Sequence, residues 1–291
     1  MSNYCPYDTT SSTYDTCRRP LDLDDLLARI ERLGSARGCP VSDLRLLDVG
    51  AGSGNYFQSL RERGCMVQYH GLDFSQGMLD QFREKTMAKD EALRGVFALQ
   101  QMNLKDLPLP LATASFDVVI VTQVLHHLSD GTDDHAPVYA LMGELARVIS
   151  PGGGFLWCQT QTQAQHADDG FWWSTITPQA SRRLADRFPP MDRFLESLTG
   201  CGEHKFGKVE SHVPNDPLMR VDMYLDVEGA FREEWRNCDS NWAICSEEEL
   251  EEGLRKLRGI IDAGKVEAFM AEREEARART GQTTTVVATK V

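Results

Sequence analysis

The sequence predicts an α/β fold built on a doubly wound, mostly parallel β-sheet. Apolar runs of strand length alternate with amphipathic stretches of helix length through residues 44–160, which is the pattern of repeated βα units. The first run leads directly into glycines at alternate positions, Gly50, Gly52 and Gly54, as expected where a strand turns sharply into a helix. The predicted strand at 117–123 is apolar through its centre without alternation, which indicates burial on both faces.

Local signals place the individual elements. Asp22, Asp24 and Asp25 suit the positive end of a helix dipole, an apolar stripe follows them, and Gly34 is expected to end this first helix. Ser75 is expected to cap the helix after the second strand. Further helices are predicted at about 55–63, 137–149 and 191–198. The predicted strands are residues 44–49, 67–72, 96–102, 117–123, 155–160, 208–213 and 283–290.

Residues 215–282, between the sixth and the final strand, are predicted to be helical. Ser246 and Glu249 have the spacing of a capping box, and the apolar residues after them recur on one side of a helix that ends near Gly264. A second helix is expected to reach Gly281. We therefore expect this insertion to form a helical cap on the sheet.

The composition favours an enzyme that acts on small molecules. The 291 residues carry a formal net charge of −13, and 41% of them are hydrophobic, which is ample for a core. Nucleic acids and anionic membranes bind basic surfaces, so neither is an expected partner. No apolar stretch approaches the ~20 residues of a membrane span, and the first residues are polar. The expected location is therefore the cytoplasm.

The eight cysteines form no CxxC pair and no zinc-type spacing, so no metal site is predicted. Most of them are expected to be reduced thiols. In an alternative interpretation, Cys5 and Cys17, together with Cys158 or Cys201, bind a soft thiophilic substrate such as trivalent arsenic.

The glycine turn has the context of a nucleotide site. Asp48 precedes it within the first strand, and Asp73 ends the second strand about 20 residues later, where an acid meets ribose hydroxyls in nucleotide-binding folds. The spacing GxGxG differs from the GxGxxG of dinucleotide enzymes, which disfavours a nucleotide-dependent oxidoreductase.

With four further segments, this pattern resembles the class I S-adenosylmethionine (SAM) dependent methyltransferases, and in particular the branch that includes quinone C-methyltransferases. The additional segments are Asn103 to Pro108, Ser115 to Val119, Val124 to Leu128 and Glu144 to Gly153. The resemblance implies a Rossmann-like sheet of seven strands whose last strand is antiparallel. It also implies SAM as cofactor and S-adenosylhomocysteine (SAH) as product.

The resemblance implies roles for particular residues. Asp48 is expected to meet the methionyl amine of SAM, and Asp73 the ribose. Asn103 stands where the family usually has Asp, and its amide oxygen still accepts a hydrogen bond from the adenine amino group. The full set of expected cofactor-binding residues is Asp48, Gly50, Ala51, Gly52, Gly54, Asp73, Phe74, Met78, Asn103, Leu104, Thr122, Tyr14 and Arg18.

Three candidates for catalysis follow the fourth strand, where the reacting methyl group is expected. They are Gln123, His126 and His127. A histidine has an ordinary pKa of about 6.5, which suits a general base at neutral pH. His127 is the preferred candidate, as base or pocket wall; alternatively, one histidine of the pair only packs or caps the next turn.

Three regions are predicted. Residues 1–20 form a lid, in which Tyr14 and Arg18 either close over SAM or are ordinary surface residues. Residues 21–214 and 283–291 form the SAM-binding domain, and residues 215–282 form the cap that selects the acceptor. Four tryptophans in the insertions, Trp172, Trp173, Trp235 and Trp242, form either the core of the cap or an acceptor pocket.

The predicted function is SAM-dependent methylation of a small molecule. A SAM-binding regulatory protein without transfer activity and a thiophilic methyltransferase remain alternatives. The sequence leaves open which acceptor atom is methylated and whether the chain is a monomer or a homodimer.

Overall fold

The computed structural model describes residues 20–89, 96–200, 204–214 and 221–291. Within these residues, seven strands form one sheet: β1 (Arg45–Val49), β2 (Gln68–Asp73), β3 (Phe97–Gln101), β4 (Val118–Thr122), β5 (Phe155–Thr160), β6 (Lys208–His212) and β7 (Thr284–Thr289). Their order is β3-β2-β1-β4-β5-β7-β6. Among these strands, β7 runs antiparallel to both of its neighbours, β5 and β6, and the other neighbouring pairs are parallel. The predicted fold class is confirmed.

Helices cover both faces of the sheet, as a parallel sheet requires. Side chains from α1 (Leu23–Arg37), α2 (Asn55–Glu62) and α3 (Gln76–Lys89) share one apolar cluster with β1 and β2. Side chains from α4 (Ala136–Val148) and α6 (Met191–Thr199) share a second cluster with the opposite face. Between these two helices in sequence lies α5 (Pro178–Ala185).

The late insertion is helical, as predicted. It contains α7 (Val221–Leu225), α8 (Glu233–Arg236), α9 (Ser240–Ala243), α10 (Glu247–Asp262) and α11 (Val266–Thr280). The predicted capping box is present, because the Ser246 hydroxyl accepts from the Glu249 N–H and the Glu249 carboxylate accepts from the Ser246 N–H. The predicted cap at Ser75 is present as well, with its hydroxyl accepting from the Met78 N–H at 3.1 Å.

A third apolar cluster joins the insertion to the segment that carries Trp172 and Trp173. Four tryptophans pack against one another there: the Trp235 ring centroid lies 5.7 Å from that of Trp242 and 5.9 Å from that of Trp173. All four are buried. The two insertions are therefore one packed unit around an aromatic core.

The predicted end of the first helix was wrong. The helix continues through Gly34 to Arg37, and Gly38 caps it with a φ of +64°. Gly34 lies inside the helix, where a Cβ would come within 3.1 Å of the Cys39 carbonyl oxygen. Gly34 therefore allows a close approach of the chain, and Gly38 supplies the left-handed conformation that ends the helix.

Candidate cofactor and acceptor site

The glycine turn after β1 takes a conformation that favours glycine at all three positions. Gly50, Gly52 and Gly54 have φ values of +86°, +53° and +85°. A Cβ on Gly50 would lie 2.2 Å from a methyl of Val124, and one on Gly54 would lie 2.7 Å from the Phe82 ring. At Gly52 a Cβ meets no described atom within 4 Å. Two glycines thus permit tight packing, and the third borders open space.

Asp73, at the end of β2, is fixed against this turn. One carboxylate oxygen accepts from the Gly52 N–H at 2.8 Å, and the other accepts from the Ser75 N–H at 2.9 Å. These two contacts hold the carboxylate in one orientation at the end of β2. The structure therefore brings the two strand-end acids and the glycines together, as the spacing predicts.

Asp48 is almost fully buried behind the turn, at 2% exposure. Its Oδ2 accepts from the Tyr69 hydroxyl, whereas its Oδ1 has no hydrogen-bond partner among the described residues. Burial raises the pKa of Asp48 to about 7; the Tyr69 hydrogen bond acts to lower it, and the nearby Asp73 charge acts to raise it. An unpaired buried carboxylate oxygen is costly, and a ligand cation would relieve that cost.

The other expected cofactor residues surround the ends of the first four strands. Phe74 follows Asp73 and is 42% exposed, which leaves a ring face available. Asn103 is half-buried after β3, and its amide oxygen accepts from the Lys105 N–H at 3.3 Å. The Leu104 and Met78 side chains are buried, so Leu104 would offer a ligand its backbone. Thr122 is half-buried at the end of β4.

The two candidate histidines lie in a 3₁₀ turn directly after β4. Both are buried, and their ring centroids are 4.0 Å apart. The backbone N–H of His127 donates to the carbonyl of Val124, the residue whose methyl packs over Gly50. The turn that carries the histidines therefore rests on the glycine turn.

His126 also touches the insertion. Its Nε2 lies 3.4 Å from the Ser240 hydroxyl of α9, and its ring centroid lies 4.9 Å from that of Phe188. His166 is the next ring beside Phe188, at 5.8 Å between centroids. No local signal in the sequence predicts a role for Ser240, Phe188 or His166, because each reaches the site only through tertiary packing.

Gln123, the third catalytic candidate, contacts the final strand region. Its φ is +57°, its N–H donates to the Gln159 carbonyl, and its side-chain amide donates to the Thr283 hydroxyl at 3.2 Å. The structure thus gives Gln123 a bracing contact between β4 and the start of β7.

These features coincide with a known protein family. Residues 47–157 match the family model described as "Methyltransferase domain". The chain carries a class I SAM-dependent methyltransferase domain. The resemblance stated from the motifs is confirmed, and SAM is the cofactor of this domain.

Several curated relatives of the methyltransferase domain have names that refer to menaquinone or ubiquinone, and others have names that refer to biotin biosynthesis or malonyl-[acyl-carrier protein]. A demethylmenaquinone methyltransferase of Deinococcus radiodurans is 33% identical over 138 residues, which cover 44% of this chain and 52% of the relative. A ubiquinone biosynthesis O-methyltransferase of Caulobacter sp. is 28% identical over 140 residues, covering 48% of this chain and 50% of the relative. The chain spans about half the length of these relatives.

Solved structures share the fold over most of the chain. A putative methyltransferase from an antibiotic biosynthesis pathway of Anabaena variabilis has a TM-score of 0.64 at 19% identity, covering 94% of this chain and 99% of its own. The Haemonchus contortus phosphoethanolamine N-methyltransferase 2 in complex with SAM has a TM-score of 0.57 at 15% identity, covering 100% of this chain and 60% of its own. The [4+2]-cyclase SpnF has a TM-score of 0.50 at 19% identity, covering 98% of this chain and 94% of its own. At these identities the likeness shows the fold alone.

Some predicted features of the methyltransferase domain cannot be placed in this site. Tyr14, Arg18, Cys5, Cys17 and Cys201 lie outside the described residues. Cys158, also proposed for a thiophilic substrate, is fully buried in the sheet core, and burial raises its pKa strongly. A neutral, enclosed thiol does not favour the thiophilic alternative. Among the described residues, no helix is long and apolar enough to span a bilayer.

Proposed function

We propose that the protein transfers a methyl group from SAM to a small-molecule acceptor. The observation that carries the proposal is the pairing of two features at one strand end. Gly52 borders open space where a Cβ would meet nothing described, and Asp48 Oδ1 is a buried acceptor without a partner. A ligand such as SAM fits both features. Its chain would pass close to the glycine turn at Gly52, and its ammonium group would meet Asp48 Oδ1.

The remaining cofactor contacts follow from the same end of the sheet. The Asp73 carboxylate, which two backbone N–H groups hold in one orientation, is the group we assign to the ribose hydroxyls. The exposed Phe74 ring suits stacking on adenine, and Asn103 suits its amino group. Bound SAM supplies a methyl group that its sulfonium already activates.

We place the acceptor against the wall of rings formed by His127, His126, Phe188 and His166. The successive centroid distances along this wall are 4.0, 4.9 and 5.8 Å. Adjacent rings with polar edges suit a planar acceptor. The names of two curated relatives, a demethylmenaquinone methyltransferase and a ubiquinone biosynthesis O-methyltransferase, support the same class of acceptor.

In this arrangement the protein aligns and deprotonates the acceptor. The ring wall and the insertion exclude water and hold the acceptor for in-line attack on the methyl group. His127 accepts the acceptor's proton, because its turn rests on the glycine turn and so lies beside the cofactor. Ser240 and Phe188 hold the neighbouring His126 ring.

The test uses SAM with an isotope-labelled methyl group, purified protein, and a panel containing a demethylated quinol, a catechol and phosphoethanolamine. Mass spectrometry should find a labelled product from a planar acceptor. The change His127→Ala should lower turnover by about 100-fold, whereas SAH affinity by calorimetry stays close to wild type. His204→Ala is the matched control, since His204 lies outside the site. Tight SAH binding with no labelled product from any member of the panel would instead support the binding-only alternative.

A further inference from the structure

We propose that Tyr69 is a positioning residue that holds Asp48 so that only Oδ1 remains for the methionyl ammonium of the cofactor. This inference rests on the proposed function and adds to it a residue that no motif contains. Tyr69 would act through Asp48 and would not touch SAM itself.

The sheet register allows this contact. In the β1–β2 pair, Tyr69 lies beside Leu46, and Gly71 lies beside Asp48. Asp48 is thus the diagonal neighbour of Tyr69 on the same face of the sheet, at a separation that an aromatic side chain can bridge. Gly71 brings no side chain between them, and a Cβ there would come within 2.8 Å of Leu99 and 2.9 Å of Ala51.

Packing fixes the hydroxyl of Tyr69. Its ring lies edge-on to Phe57 at 5.0 Å and to Phe82 at 5.8 Å between centroids. Phe82 is also the ring that a Cβ on Gly54 would strike at 2.7 Å. The same aromatic support therefore sets both the glycine turn and the direction from which Tyr69 donates to Asp48.

Charge explains why such a brace is useful. The groups that face Asp48 are the hydroxyls of Tyr69 and Tyr56 and the carboxylate of Asp73. Burial raises the pKa of Asp48 to about 7, and only the Tyr69 hydrogen bond acts to lower it. The Tyr56 hydroxyl donates instead to Gln159 Oε1 at 2.6 Å. Tyr69 therefore favours the ionised carboxylate that a cation requires.

The test compares two ligands that differ in the amino-acid group. SAH carries the methionyl amine, and 5′-methylthioadenosine lacks it. Calorimetry on Tyr69→Phe should show about tenfold weaker SAH binding, whereas methylthioadenosine affinity stays within about twofold. Tyr139→Phe is the matched control, since it removes a buried hydroxyl without a partner from α4. Adding Tyr69→Phe to Asp48→Asn should weaken SAH no further.

The pH dependence supplies a readout that a loss of packing would not produce. Wild-type SAH affinity should fall as the pH drops from 8 to 6 and Asp48 becomes neutral. In Tyr69→Phe the fall should begin at a higher pH, because a hydrogen bond to the ionised form is lost. Equal weakening of both ligands, or unchanged SAH affinity, would overturn the inference. Wild-type protein that does not bind SAH at all would overturn the proposed function itself.

Discussion

Alanine at Gly52 should weaken cofactor binding while costing the protein little stability. Gly52 has a φ of +53°, so alanine there must adopt the left-handed conformation, which costs about 1–2 kcal/mol of folding free energy. No described atom lies within 4 Å of the added Cβ, so no clash adds to that cost. For a chain of this size the melting temperature should fall by roughly 2–8 °C.

The same change should also lower the affinity for SAH, because the added methyl group enters the space assigned to SAM. Overpacking costs about 1–3 kcal/mol, which corresponds to between about 5-fold and about 150-fold weaker binding of SAH. Thermal unfolding and calorimetry with SAH measure the two effects separately.

Gly64→Ala is the matched control. Gly64 has a φ of +78°, and a Cβ there also meets no described atom within 4 Å, but it follows α2 away from the site. It should show the same loss of melting temperature with unchanged SAH affinity. If Gly52→Ala binds SAH as tightly as Gly64→Ala does, the open side of Gly52 is not the cofactor's space, and the reasoning fails.

Three other changes test the remaining parts of the structure. Gly50→Ala should destabilise the protein more than Gly52→Ala, because its Cβ would lie 2.2 Å from Val124; equal melting temperatures would contradict this. Burial acts to raise the pKa of Asp117, but hydrogen bonds from the Arg45 N–H, Ser150 and Arg37 outweigh it and lower the pKa. The stabilising contribution of Asp117 is therefore present above the ordinary carboxyl pKa of about 4 and is lost as the pH falls through the depressed pKa of the folded state. The free energy of unfolding of Asp117→Asn should therefore fall less steeply with decreasing pH than that of the wild type. An identical slope would count against the network. Replacing residues 215–282 by a short glycine hairpin should keep SAH binding and lose acceptor turnover, since His212 already pairs antiparallel beside Thr285; retained turnover would place acceptor specificity outside the insertion.

The sequence predicted that the two strand-end acids and the glycines lie together, because the signals for them are local. Asp48, the three glycines and Asp73 lie in two strand–turn segments, and their conformations follow from short-range backbone preferences. The strand positions were also correct, and no predicted strand end differs from the observed one by more than one residue. Gly34 was misread as a helix end because a second glycine, Gly38, lies one turn later.

The part of the site where we place the acceptor could not be predicted in the same way. His166, Phe188 and Ser240 come from three segments that meet only when the insertions pack over the end of the sheet. Tyr69 appears in the sequence as an ordinary strand residue, and its relation to Asp48 depends on the register between β1 and β2. Both depend on tertiary pairing, for which a single sequence carries no periodic signal.

A calorimetric titration of the purified chain with SAH, SAM and NADH, repeated with Asp73→Ala, tests the cofactor site directly. We expect SAH and SAM to bind with one ligand per chain and NADH not to bind comparably. In the variant, which lacks a charged acceptor of ribose hydrogen bonds, we expect about 10-fold to 100-fold weaker SAH binding. Comparable NADH affinity, or SAH affinity unaffected by the loss of Asp73, would contradict the assignment of this strand end as a SAM site.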